Sequence, residues 1–295
     1  MVNLVPERIL RRSASFLPAN VRSLAKNVFF KDRHWAHPDL KKFGTIQDLY
    51  YWVSDGSKDT LLLLQNYYSA LYPTVDTQTK GTVNIYDKDG LPLAEKSFSL
   101  ARCGTSKFRV SSLLAEAGVT AVEGFGTLEV NLAIPDEVMD QIQDTRSFYF
   151  WDRFYIGYTS SLGQTCFVHG VDRTHIYREG IQDPIDWTRS PGGHQWAPEI
   201  PVNMEDYQKF SVILTNRTSG SAHTTLTLSD NEDRFLSWEA DIPAKGVRRF
   251  ELDQDVIAGL DPNEMRLRVD GMATLFGRPV VFKEFSNGAM SAMHC

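Results

Sequence analysis

Three of the seven histidines, His169, His175 and His194, fall within residues 169–199, HGVDRTHIYREGIQDPIDWTRSPGGHQWAPE. Imidazole changes charge near neutral pH and also ligates transition metals. Asp172 lies midway between His169 and His175. Those three suit an acid–base pair oriented by a carboxylate, or a metal site, and His194 and Glu199 complete either arrangement. Arg173, Tyr177, Trp187, Trp196 and Glu199 supply walls and polar contacts for a ligand. The same residues also fit a plain structural role. Asp172 with Arg173, and Arg178 with Glu179, can neutralise one another, while Trp187 and Trp196 can seal a seam between domains.

Other chemistry is thinly represented. His34 and His37 have ligand spacing, but Pro38 follows at once and no third ligand is close in sequence. No nucleophile elbow, phosphate loop, His-Glu-x-x-His or dinucleotide-binding glycine pattern occurs, so the sequence specifies no cofactor and the metal stays unknown. Cys103, Cys166 and Cys295 are odd in number and widely spaced, which gives neither a disulfide framework nor a zinc pattern. A reducing, cytoplasmic compartment is the expectation.

The elements that must hold such a site read as strands, and they recur. TLLLLQN at 60–66 corresponds to FSVILTN at 210–216. TVNIYDKDG at 82–90 corresponds to TLTLSDNED at 225–233, and LARCGTSKFRV at 100–110 to IPAKGVRRFEL at 242–252. RFYIGYTSSLGQTCFVH at 153–169 runs without a gap against RPVVFKEFSNGAMSAMH at 278–294, so that His169 matches His294. Four blocks in one order point to a duplicated unit. Val83 and Ile85, like Leu226 and Leu228, alternate with polar residues at the period of a half-buried strand. Turn-forming residues follow at 87–90 and 229–233. Short strands at hairpin spacing predict an all-β fold of two tandem antiparallel β-sandwich repeats with a short N-terminal helical arm. The expected boundaries are 1–45 for the arm, 46–170 for repeat one, 171–195 for the linker and 196–295 for repeat two. Residues 111–118 and 253–260 are each expected to make a helical turn between sheets. Repeat one is longer, with extra residues around 67–80 and 114–150.

The second repeat resembles the small soluble transducer of microbial sensory rhodopsin and its β-sandwich relatives. A strand ending at Asn216, then TLTLSD, IPAKGVRRFEL and RPVVFKEFSNGAM, carry the resemblance. Repeat one matches more loosely, because Leu100-Ala101-Arg102 lacks the proline of Ile242-Pro243-Ala244. Residues 1–45 and 171–195 are not covered. The resemblance implies a non-enzymatic interaction module that works in oligomers, and it carries over no functional residue.

Charge narrows the partners. Residues 1–43 hold nine Lys/Arg against three acids, while the whole chain carries −6, so residues 44–295 carry −12. An acidic body repels phosphates, so a nucleic acid is not an expected partner. Val21, Leu24, Ala25, Val28 and Phe29 fall at helical spacing in the basic arm. That stripe suits packing on the body or a peripheral membrane contact. No apolar run reaches spanning length, and arginines interrupt the N-terminus early. The leading expectation is a binding or assembly protein that takes a small molecule, glycan or protein at the inter-repeat seam and forms a homo-oligomer. The alternative is an enzyme with a His/Asp acid–base site in the linker.

Overall fold

A computed structural model describes residues 45–120, 124–141, 154–169, 175–177, 199–205, 207–217, 220–271 and 279–294. The expected helical arm, the 34–37 histidines and most of the linker lie outside these residues. The described chain is an all-β fold of two antiparallel sandwiches in tandem, as the alternation of apolar and polar residues requires.

The first sandwich contains β1 (Thr45–Val53), β2 (Lys58–Gln65), β3 (Thr79–Asp87), β4 (Pro92–Leu100), β5 (Thr105–Arg109), β6 (Phe125–Ala133), β7 (Phe154–Ser160), β8 (Thr165–His169) and β9 (His175–Tyr177). One sheet has the order β4-β3-β6-β1-β9, and the facing sheet has the order β5-β2-β7-β8. The second sandwich contains β10 (Glu199–Val202), β11 (Lys209–Thr215), β12 (Ala222–Ser229), β13 (Phe235–Ile242), β14 (Val247–Leu252), β15 (Met265–Gly271), β16 (Val280–Glu284) and β17 (Met290–His294). Its sheets run β10-β15-β12-β13 and β14-β11-β16-β17. Apart from the short β9, the two halves share one strand order.

Register agrees as well as order. Leu62 stands opposite Phe108 and Ile156, while Val212 stands opposite Phe250 and Val281. His169 faces Tyr155, and His294 faces Val280. Matching turns use left-handed residues at matching places. Gly90 (φ 81°) pairs with Asp233 (60°), Cys103 (56°) with Lys245 (59°), and Gly163 (81°) with Gly288 (78°). Asn66 and Asn216, both buried at strand ends, each donate from Nδ2 to the carbonyl closing the neighbouring hairpin strand, Leu100 or Ile242. A side-chain amide in that place satisfies a carbonyl that the ladder leaves open.

Differences between the halves sit at the connections. Helix α1 (Tyr68–Leu71) and helix α3 (Asp136–Gln141) fall within the extra residues of the first half. Helix α2 (Val110–Glu116) buries Val110, Leu113 and Leu114 against the first core. Its counterpart at 253–260 is a shorter run of turns, in which the Ile257 N–H donates to the Asp253 carbonyl at 3.1 Å. There the Asp253 carboxylate accepts the backbone N–H groups of Asp255 and Val256, the contact of a capped first turn.

The cores are joined. Ile213, Val247, Phe282 and Met290 of the second half pack in the apolar cluster that fills the first sandwich. Phe282 stacks edge-on against Tyr158 at 4.7 Å and Tyr51 at 5.8 Å. Each buried aromatic side chain of this size contributes roughly 1.5–3 kcal/mol by removal from water. The turn at 243–247 docks on the first sandwich. Val247 N–H donates to the Lys88 carbonyl at 2.9 Å, and a β-carbon on Gly90 would stand 2.1 Å from the Ala244 carbonyl oxygen. Only glycine allows that approach. Lys245, at the tip of the turn, pairs with the buried Glu129 carboxylate at 2.9 Å and donates to the Tyr86 hydroxyl at 2.9 Å. Asn131 donates to the same carboxylate at 3.1 Å. Burial opposes charge on Lys245, but Glu129 outweighs it and holds the ammonium pKa above its usual value.

Candidate binding cleft at the seam

A cleft of about 220 Å³ opens where the sandwiches meet. The first sandwich contributes Tyr51, Asp55, Ser57 and Lys58, and the second contributes Lys209, Arg249, Glu251, Phe282 and Glu284. The β1–β2 turn forms one lip. Asp55 Oδ1 accepts the backbone N–H groups of Ser57 and Lys58, each at 2.9 Å, and the Ser57 hydroxyl at 2.7 Å. The opposite lip is β14, where Arg249 and Glu251 share one face of the strand.

The charges of the cleft are already matched. Lys58 pairs with Glu284 at 3.1 Å, Lys209 with Glu251 at 2.7 Å and Arg249 with Glu251 at 3.0 Å. Arg249 also lies over the Phe125 ring at 4.6 Å and donates to the Tyr51 hydroxyl at 3.5 Å. Burial pushes the Tyr51 phenol up to about 12, against the opposing pull of Arg249. Burial also raises Asp55, but the hydrogen bonds from Ser57 and Lys58 win and hold its carboxyl below the usual range. A protonated phenol and a stabilised carboxylate are both poor bases at neutral pH. The Ser57 hydroxyl bonds to that carboxylate with no imidazole between them. The cleft thus sets charged side chains of both signs beside the Tyr51 and Phe282 rings.

The residues singled out in and around the linker separate into four groups. Asp172, Arg173, His194, Trp187 and Trp196 lie outside the described residues. His175 and Tyr177 lie on β9, which adds a three-residue edge to the first sandwich by pairing with β1. His169 ends β8 in the other sheet of that sandwich, where its Nε2 lies 2.6 Å from Nε2 of His294. Glu199 belongs to the second sandwich and stands exposed, 3.8 Å from Arg266. Among the described residues, no group of three or more His, Cys, Asp or Glu is placed to hold a metal ion. No helix among the described residues is long and apolar enough to cross a membrane.

Sequence reasoning missed the cleft. Its residues come from five strands, and Lys58 and Glu284 are 226 positions apart. The available signal was the density of charge in β14, where Arg248, Arg249 and Glu251 lie between the buried ends Val247 and Leu252.

No family model matches this chain, and no curated protein matches it. Among solved structures, a β-glucuronidase from glycoside hydrolase family 2 aligns over 85% of this chain and 23% of its own length, at 9% identity and a TM-score of 0.18. The β-glucuronidase of Bacteroides uniformis aligns over 85% of this chain and 26% of its own, at 8% identity and a TM-score of 0.20. This chain thus spans about a quarter of each enzyme's length, and at such scores neither activity nor site residues transfer.

Proposed function

We propose that the chain is a non-catalytic binding or assembly protein, built by duplication of one sandwich unit, whose ligand occupies the seam cleft. The carrying observation is that the cleft is walled by both sandwiches and lined by side chains of both signs beside two aromatic rings. Pre-paired charges of this kind suit a small polar molecule that carries both charges, since it can exchange one internal ion pair for two external ones. The matched turns and registers of the halves support duplication. The resemblance of the second half to sensory rhodopsin transducer sandwiches accords with a cytoplasmic module that acts through partners and oligomers.

The test is ligand-observed NMR with a panel of zwitterionic, anionic and cationic small molecules and oligosaccharides. Wild type is compared with Ser57→Arg, which crowds the mouth of the cleft from an exposed position without removing any of its ion pairs. Binding of zwitterions that is lost in the variant is the expected result. Binding that ignores the variant, or chemical conversion of a panel member, contradicts the proposal.

A further inference from the structure

The two sandwiches also meet along β8 and β17, which hold the same place in their respective sheets. The Cys166 thiol donates to the Met290 carbonyl at 3.1 Å, and the Gln164 side-chain oxygen accepts the Met290 N–H at 3.3 Å. Leu162 lies against Gly288. The strands end side by side on His169 and His294. Both rings are half-buried, their centroids are 4.1 Å apart and their planes lie at 84°. Their Nε2 atoms approach to 2.6 Å.

Two nitrogens at that distance require one ring to donate and the other to accept, so at least one imidazole is neutral with its lone pair aimed at its partner. Convergent imidazole nitrogens on fixed strand ends are also what a transition metal needs. We propose that His169 and His294 form a metal site that bridges the two sandwiches and takes one divalent ion of the zinc, copper or nickel class. Zinc–nitrogen bonds of roughly 2.0–2.1 Å with tetrahedral angles place two ligand nitrogens about 3.3 Å apart. The rings must therefore separate by somewhat under one ångström, a motion within reach of side-chain rotation at half-exposed positions. As the metal enters, the donor ring gives up its Nε2 proton, to solvent from an imidazolium or in exchange for one taken up at Nδ1 by a neutral ring, and water fills the open coordination positions. Because each sandwich supplies one ligand, the ion links the halves at the end of the seam opposite in character to the salt-bridged cleft.

Calorimetric titration of the full chain with zinc, nickel and copper ions tests the site, with His169→Gln and His294→Gln compared against wild type. Wild type is expected to bind one more equivalent than either variant, and its melting temperature should rise with metal more than theirs. Electron paramagnetic resonance of the copper-loaded wild type provides a measurement independent of variant folding, and should show nitrogen coupling from two imidazoles. Equal stoichiometry in wild type and both variants, absence of saturable binding, or a copper signal unchanged in the double variant overturns the proposal.

Discussion

Arg217, just beyond β11 of the second sandwich, donates from its guanidinium to the Asp48 carboxylate and to the Leu49 carbonyl on β1 of the first. Both charged side chains are buried, at 5% and 6% exposure. Asp48 also accepts the Tyr50 hydroxyl at 2.7 Å and the Leu49 N–H at 2.9 Å. A pair so placed is destabilising to break from one side, because the remaining charge stays in a low-dielectric site. Arg217→Met is expected to lower stability by about 3–5 kcal/mol. Arg217→Met combined with Asp48→Asn should lose less than the sum of the two single changes. Urea unfolding of the four proteins measures this, and strict additivity would show that the two groups do not interact.

Cys103 and Lys245 occupy the same left-handed position in matching turns, yet only Lys245 reaches the other sandwich. Relief of left-handed strain by glycine is worth roughly 1–2 kcal/mol at most. Cys103→Gly should therefore leave stability unchanged or raise it. Lys245→Gly removes the same strain but takes the ammonium from the buried Glu129 carboxylate, and should lower stability by about 1–3 kcal/mol, with the smaller end favoured because Lys245 is partly exposed and Asn131 still donates to Glu129. Thermal unfolding of the two variants separates a local effect of the turn from a seam effect. Similar shifts in both would show that Lys245 holds no special place in the seam.

Alkaline pH should weaken the seam. The Tyr51 phenol titrates near 12 in the folded chain against 10.0 for the free group, and Lys245 is raised above 10.5. Both folded values exceed their unfolded counterparts, so the unfolded chain releases these protons first. Their contribution is complete below pH ~10 and is lost as pH climbs through the folded values. Denaturant midpoints measured from pH ~9 to ~11.5 should fall most steeply above ~10, and Tyr51→Phe should flatten part of that fall. An unchanged slope in Tyr51→Phe would assign the alkaline loss to other groups.

Much of the fold was legible because strand periodicity and turn chemistry are local. TLLLLQN and FSVILTN place Leu62 and Val212 at one register position, and the same Asn closes each strand. The helical turn expected at 253–260 is present as a short run of turns, in which the Ile257 N–H donates to the Asp253 carbonyl. The seam was illegible for a different reason. Arg217 and Asp48, or Lys58 and Glu284, meet only after both sandwiches have formed, and no spacing in sequence records such a pair. His169, grouped in the sequence with Asp172 and His175, meets its own counterpart His294, which the repeat alignment already matched to it, while Asp172 lies outside the described residues.

The ligand site we propose is the seam cleft, walled by both sandwiches. A crystallographic soak with a mixed library of charged fragments reads that location directly. Fragments should gather between Tyr51, Ser57 and Lys58 on one side and Arg249, Phe282 and Glu284 on the other. The open face of the second sandwich around Tyr207, Lys283 and Arg266 offers a competing hollow of about 440 Å³. Fragments confined to that face, with the seam cleft left empty, would contradict the account.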